Sequence, residues 1–303
     1  MYDHACSYEQ GPIRPPSESR SLLIRISRNC PWNRCLFCPV YKFDKFSRRS
    51  VQEIKKDIDL IAGHIEGIGE LSLTHGCGGV VNDEVIGIVY NKRPEMLPVA
   101  NWLLHGDKTV FLQDADNLTY SGDTLCEIIV YLKEKIKGIK RITTYARAKS
   151  LVKRSLEELK SIKAAGLARV HVGLESGSNR VLEFMKKGVT AEEHVEAGRK
   201  ARAAGLILSE YVILGLGGEE YWLDHALQTA EVLNQINPDF IRVRTLAIHP
   251  FAPLINVWRD GLFSPLADEQ ILVEEKTLIE NLEGIESELY SDHILNLLEE
   301  VQG

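Results

Sequence analysis

The sequence predicts an α/β fold: a partial (β/α)6 barrel of the TIM type with a C-terminal helical extension. Three observations predict it. Short β-rich runs alternate with helical patterns along most of the 303 residues, and such alternation builds parallel sheets. Residues 163–167 and 202–206, 39 positions apart, both read basic-Ala-Ala-Gly-Leu. Each closes a helix and opens a strand, with Gly166 and Gly205 at the left-handed stop position. The strands themselves alternate apolar with polar residues instead of running apolar throughout.

In chain order the expected strands are 22–27, 109–113, 141–147, 169–175, 207–214 and 240–246. Helix starts are marked by Ser50 with Glu53, Ser155 with Glu158 and Thr190 with Glu193, each at capping-box spacing. Val51, Ile54, Ile58 and Ile61 then form one apolar helix face. Residues 63–107, with Gly76, Gly78, Gly79, Pro94 and Pro98, read as an insertion with helical pieces. The domain plan is a 1–20 N-terminal extension, a 21–246 barrel and a 247–303 loop and helical extension. In that extension Pro250, Pro253 and Pro265 mark loops and two helices follow. The stripe Ile294, Leu297, Leu298 and Val301 is expected to dock the last helix on the barrel.

Composition narrows the function. A hydrophobic content of 44% and a charged content of 26% are those of a globular protein. Net charge is −7 with no basic run, which disfavours an extended nucleic-acid surface. No apolar stretch approaches the roughly 20 residues of a membrane helix, and residues 1–21 lack the apolar core of a secretory signal. Three of the six cysteines fall within nine residues, while Cys6, Cys77 and Cys126 are scattered. Clustered thiols suit a metal centre in a reducing, cytoplasmic setting better than a disulfide framework.

Strand alternation points to a polar interior. Val170, Val172 and Leu174 face the helices, leaving Arg169, His171, Gly173 and Glu175 opposite. Ile241 and Val243 likewise oppose Arg242 and Arg244, and Ile142 and Thr144 oppose Tyr145 and Arg147. A sheet buried on both faces reads as nearly continuous apolar residues; this one is expected to surround a polar ligand.

The thiols Cys30, Cys35 and Cys38 directly follow the first strand, at the end where ligands bind in parallel α/β folds. Three thiolates suit a cubane iron–sulfur cluster with one iron left open. A structural zinc site closes with four ligands, and no second Cys or His pair is spaced for it. Phe37 stands where it can pack against a planar ring.

At these residues the chain resembles the radical S-adenosylmethionine superfamily, in the branch of oxygen-independent coproporphyrinogen oxidase and the Elongator catalytic subunit. The likeness runs from about Leu22 to Glu219. The family triplet has three residues between its first two cysteines and this chain has four, so the ligand loop must bulge. The resemblance implies a [4Fe–4S] cluster on Cys30, Cys35 and Cys38, with S-adenosylmethionine on the open iron. It implies that Glu175 hydrogen-bonds the cofactor and that Lys187, in place of a family arginine, pairs with its methionine carboxylate. Asp114 or Asp116 then takes the methionine amine where relatives carry Gly-Gly-Glu. Tyr145, followed by Arg147, replaces a third-strand carboxylate. The turn 214–219 places Gly215 against the adenine, and Glu210 and Tyr211 compete for a ribose contact.

The same resemblance implies reductive cleavage of S-adenosylmethionine to a 5′-deoxyadenosyl radical, fed by a donor such as flavodoxin or ferredoxin. It assigns no catalytic residue for the substrate step. A small-molecule substrate is expected over nucleic acid, with Arg242, Arg244 and His171 the candidates for gripping an anionic one. The competing readings are an iron–sulfur electron carrier and a zinc-stabilised structural protein.

Overall fold

A computed structural model describes residues 7–297. The chain enters through a one-turn 3-10 helix, Pro16–Glu18, and strand β1 (Leu22–Arg25). A short antiparallel ribbon, β2 (Ser27–Arg28) with β3 (Ser47–Arg48), brackets the cysteine segment. Helices α1 (Val51–Thr74), α2 (Asp83–Lys92) and α3 (Leu97–His105) follow. Regular βα units come next: β4 (Thr109–Gln113) and α4 (Gly122–Lys135); β5 (Arg141–Ala146), α5 (Ala148–Lys153) and α6 (Leu156–Ala165); β6 (Leu167–Glu175), α7 (Asn179–Phe184) and α8 (Ala191–Ala203); β7 (Ile207–Leu214) and α9 (Gly218–Ile236). The chain continues through β8 (Phe240–Thr245), α10 (Leu254–Arg259), α11 (Asp268–Glu280) and β9 (Glu288–Tyr290).

All seven main strands are parallel, in the order β1-β4-β5-β6-β7-β8-β9. The sheet is open, with β1 and β9 at its edges. The apolar halves of the strands (Val110, Leu112, Val170, Val172, Leu208, Val212, Ile241, Val243) meet the helices in one continuous core. Two of the three capping boxes close fully, at Ser50–Glu53 and Thr190–Glu193. At the third, Ser155 accepts the Glu158 N–H, but the Glu158 carboxylate turns away to the Gly122 N–H at 2.9 Å.

The structure departs from the sequence-based plan in three places. α1 runs unbroken to Thr74, so the boundary expected at 63 falls inside a helix. A seventh strand, β9, pairs with β8 from Phe240–Glu288 to Arg242–Tyr290; three residues with one apolar side chain carry no readable strand pattern. Residues 291–297 are irregular, not helical. They are held by Asn296, which donates to the Val243 carbonyl and accepts the Thr245 N–H, and Ile294 is 83% exposed. Leu298 and Val301 lie outside the described residues.

The interior differs most from expectation. The rings of Phe111, Tyr145, His171 and Tyr211, from four successive strands, touch in a row with centroids 5.1, 5.9 and 5.8 Å apart. The N-terminal segment reaches inside as well. Gln113 receives the Gly11 N–H at 2.9 Å and donates to the Gly11 and Ile13 carbonyls at 3.2 and 2.9 Å. Glu18, fully buried, accepts from Ser21 Oγ, from Arg141 at 3.2 Å and from His171 Nε2 at 3.5 Å. Ser21, Thr109 and Arg141 stand at the N-terminal ends of their strands, so Glu18 forms the floor of the half-barrel. The lower interior is therefore packed with protein, and a polar ligand is left the upper end. Burial drives the His171 pKa down to about 4, against the pull of Glu18, so the imidazole is neutral at pH 7. It cannot grip an anion by charge.

Glu18→Ala removes the acceptor shared by these groups. We expect a loss of about 2 kcal/mol, the scale of a hydrogen bond to a charged group, read from the urea midpoint of the apoprotein at unchanged m-value.

Candidate active site

Beyond Arg25 the chain leaves the sheet in the loop that carries the thiols. Asn29 (φ 67°) and Asn33 (φ 46°) are left-handed, a conformation Asn tolerates better than most side chains. Asn33 absorbs the extra residue of the first interval. Its N–H donates to Cys30 Sγ at 3.4 Å, its side-chain amide to the Tyr41 carbonyl, and its carbonyl accepts Lys42 Nζ at 3.0 Å.

Two anchors fix this loop. From the sheet, Asp114, fully buried, accepts from Arg25 Nε at 2.8 Å, the Asn29 N–H at 3.0 Å and Tyr41 Oη at 2.9 Å. From the side, Trp32 Nε1 donates to the Lys186 carbonyl at 2.7 Å, and Arg34 and Arg147 lie over its ring at 5.0 and 5.2 Å. The Leu36 N–H donates to the Met185 carbonyl at 3.0 Å. At Gly188 (φ 72°) a Cβ would stand 2.2 Å from the Trp32 ring, so only glycine lets the two segments meet.

The three thiols are half-buried and free of disulfides. Burial pushes the Cys35 and Cys38 thiols up; Lys187 opposes this at Cys35, while the neighbouring thiols add to it. A coordinated metal removes such protons outright. Among the described residues no three His, Cys, Asp or Glu side chains converge as one bound ion requires. A cubane asks for something else, a thiolate for each of three separate irons. Three thiols on one loop, with Lys187 and not a fourth thiol or imidazole beside Cys35, fit that requirement.

Glu175 and Lys187 complete the centre. The β6–β7 register slips between Gly173 and Glu175, and Glu175 turns out with φ 65°. Its carboxylate accepts Lys187 Nζ at 2.8 Å. A Cβ on Gly173 would lie 2.1 Å from Glu175 Oε1 and 3.0 Å from Lys187 Nζ, so that glycine makes room for the pair. Burial works against the Lys187 charge, but Glu175 and Cys35 hold its pKa above the ordinary value. Arg147 donates to the Lys187 carbonyl at 2.9 Å. Phe37 is half-buried beside Leu36, Val181, Met185 and Ile213, with Lys187 Nζ 5.9 Å from its ring. Cys30, Cys35, Cys38, Phe37, Arg147, Glu175 and Lys187 thus share one place.

Other predicted residues stand apart. Tyr211 faces the interior against His171, whereas Glu210 shares the helix side with Leu208 and Val212. Glu210 is fully buried with both oxygens unpartnered, and burial drives its pKa far upward. Asp114 is engaged by the loop anchors: Arg25 and the Asn29 N–H share its Oδ2, and Tyr41 Oη donates to its Oδ1. Asp116, fully buried, accepts Ser150 Oγ at 2.6 Å, has the Arg147 and Leu118 backbone N–H groups beside its carboxylate, and is pushed up to about 6 by burial. Tyr145 lies in the interior ring row. Gly215 (φ 79°) ends β7, and its N–H is taken by the buried Glu274 of α11, whose pKa burial raises to about 8. Sequence reasoning missed Arg25, Trp32, Tyr41 and Glu274. Trp32 was in plain view inside the ligand loop; the others carry no local signal.

The chain is thus an open parallel half-barrel of the TIM-like class with a three-thiol loop at the carboxyl ends of its strands. The Radical SAM superfamily model matches residues 24–230, and the chain belongs to that superfamily. It is a radical S-adenosylmethionine enzyme, and its cofactors are a [4Fe–4S] cluster and S-adenosylmethionine. Among curated proteins it is similar to a tRNA uridine(34) acetyltransferase of Methanocaldococcus jannaschii, 24% identical over 38% of this chain and 22% of that one. It is also similar to the anaerobic magnesium-protoporphyrin IX monomethyl ester cyclase of Cereibacter sphaeroides, 26% identical over 82% of this chain and 34% of the relative. The chain therefore spans about a fifth to a third of these relatives. Among solved structures, coproporphyrinogen III oxidase of Escherichia coli shares the fold with a TM-score of 0.57 at 16% identity, over 86% of this chain and 52% of that one. Among the described residues no helix is long and apolar enough to cross a membrane.

Gly188→Ala should displace Trp32 and loosen the ligand loop. Iron bound per chain after anaerobic reconstitution is expected to fall below wild type, with far-UV circular dichroism unchanged.

Proposed function

We propose that the protein cleaves S-adenosylmethionine reductively and directs the product radical at a small-molecule substrate in the upper half-barrel. The cofactors, when bound, supply one electron and a carbon–sulfur bond whose scission yields a 5′-deoxyadenosyl radical able to take a hydrogen atom from the substrate. The chain supplies position and shelter. Cys30, Cys35 and Cys38 hold the cluster. Lys187 pairs with the methionine carboxylate as a point charge, kept in line by Glu175. Asp114 or Asp116 receives the methionine ammonium, and Asp114 also fixes the loop. Phe37 packs against the adenine beside the Gly215 turn, and Tyr211 takes the ribose side in preference to Glu210. Arg147 braces the Lys187 turn and Tyr145 lines the wall beneath. An electron donor such as flavodoxin or ferredoxin serves the cluster in the cytoplasm. Residues 21–246 make up the catalytic unit, and the segment before them serves as its floor.

The observation that carries this reading is the Glu175–Lys187 pair at 2.8 Å, held within electrostatic reach of Cys35. An electron carrier has no use for a buried ammonium facing its cluster. The test is anaerobic reconstitution with iron and sulfide, chemical reduction and chromatographic assay of 5′-deoxyadenosine. A reduced cluster that yields none would favour the electron carrier, and one equivalent of zinc without iron uptake the structural protein. Cys35→Ala is expected to abolish cluster assembly. Lys187→Ala is expected to keep the cluster and bind S-adenosylmethionine about 10-fold more weakly, the loss of one charge-assisted contact; equal affinity removes Lys187 from the site.

A further inference from the structure

Three interior side chains could hold an anionic substrate: His171, Arg242 and Arg244. The structure separates them. His171 is neutral, fully buried in the floor and turned to Glu18. Arg242 is 5% exposed, paired with Asp292 and stacked over Tyr290 with 4.7 Å to the ring centroid. Arg244 is different. It lies one residue pair nearer the carboxyl end of β8, in register with Ile213, whose side chain joins the small cluster beside the ligand loop. Its neighbours Val243 and Thr245 turn the other way, Val243 into the helix-side core. No carboxylate pairs with Arg244 among the described residues, and its Nε is shielded from solvent without a partner.

The surroundings are rich in donors. Tyr145 and Arg244 stand on β5 and β8, with β6 and β7 between them. Two side chains on strands so far apart sense each other's charge only across the interior, and the Arg244 charge does act on the Tyr145 phenol. Tyr211, on the intervening β7, sits one level lower, in register with Arg242 and with its phenol beside Ser17 of the floor segment. The acid nearest the mouth, Glu175, is already paired with Lys187. A half-buried guanidinium with its Nε out of water and no counter-charge invites an anion, and a carboxylate or phosphate is the group that supplies one, bidentately where geometry allows.

We propose that Arg244, with the Tyr145 phenol as a flanking donor, binds an anionic group of the substrate, so that the substrate is a carboxylate- or phosphate-bearing small molecule. This rests on the reading of the upper half-barrel as the reaction chamber. His293, whose pKa is lowered by burial and by Arg244, and Asp292, already on Arg242, are the other titratable groups that the tail packs against this wall.

The test uses the anaerobic, cluster-loaded protein with S-adenosylmethionine present. Succinate and inorganic phosphate are titrated separately by calorimetry into wild type, Arg244→Gln and Arg244→Lys. At least one anion is expected to bind wild type, about 10-fold more weakly to the Gln variant, with part of the affinity restored by Lys. The anion that responds distinguishes a carboxylate from a phosphate substrate. If neither anion binds wild type, or if binding survives Arg244→Gln undiminished, the assignment is overturned. Iron content and S-adenosylmethionine affinity of wild type are measured on the same samples; their failure would strike the proposed function itself, and their success with indifferent anion binding would strike only Arg244.

Discussion

The site depends on one buried carboxylate. Asp114 sits at the end of β4 and gathers three separate parts of the chain: the guanidinium that ends β1, the backbone before Cys30 and the phenol of Tyr41 after Cys38. Without it the ligand loop would be tied to the sheet only by its own entry strand. Charge-assisted bonds in a dry setting are strong and directional, which a cluster loop needs, because its three sulfurs must stay in fixed relation as ligands come and go. The turn 185–188 supplies the opposing wall through Trp32, so the loop is held between the sheet and the β6–α8 connection that also carries Lys187.

Charge is arranged in depth. At the floor, Glu18 neutralises cations at the strand starts; above it the ring row excludes water; at the carboxyl end Lys187 and Arg244 present positive charge. The Glu175–Lys187 pair holds its ammonium beside the thiols. The low dielectric that strengthens these contacts also makes each unpartnered group costly. That makes the unpartnered Arg244 Nε informative.

Much of this could be read from the chain. The parallel βα order, the strand spans 109–113 and 207–214 and the thiol triplet all have local causes: alternation, capping residues and spacing. Glu175 and Lys187 were legible only through the family resemblance, and the structure sets them side by side. What escaped was long-range. The choice between Glu210 and Tyr211 needs the register of β7, which adjacent residues cannot reveal because either could face inward. That Asp114 also anchors the loop, through Arg25 and Tyr41, has no local signal. β9 has too few residues to show a period. The interior was expected to be polar because alternation reports only that a face differs from the other; it does not say that tyrosines and a histidine on that face will stack upon one another.

The floor has a consequence for how the molecule is made. Glu18 finds its acceptor roles with Arg141 and His171, 123 and 153 positions further along. Contacts of such separation form late, since a long loop must close first. During translation, at some tens of seconds or less per domain of this size, the segment emerges well before β5 and β6 exist to receive it. Its contacts with Arg141 and His171 can close only once those strands have been made, so the bottom of the chamber is completed by a part of the chain that left the ribosome earlier than its partners.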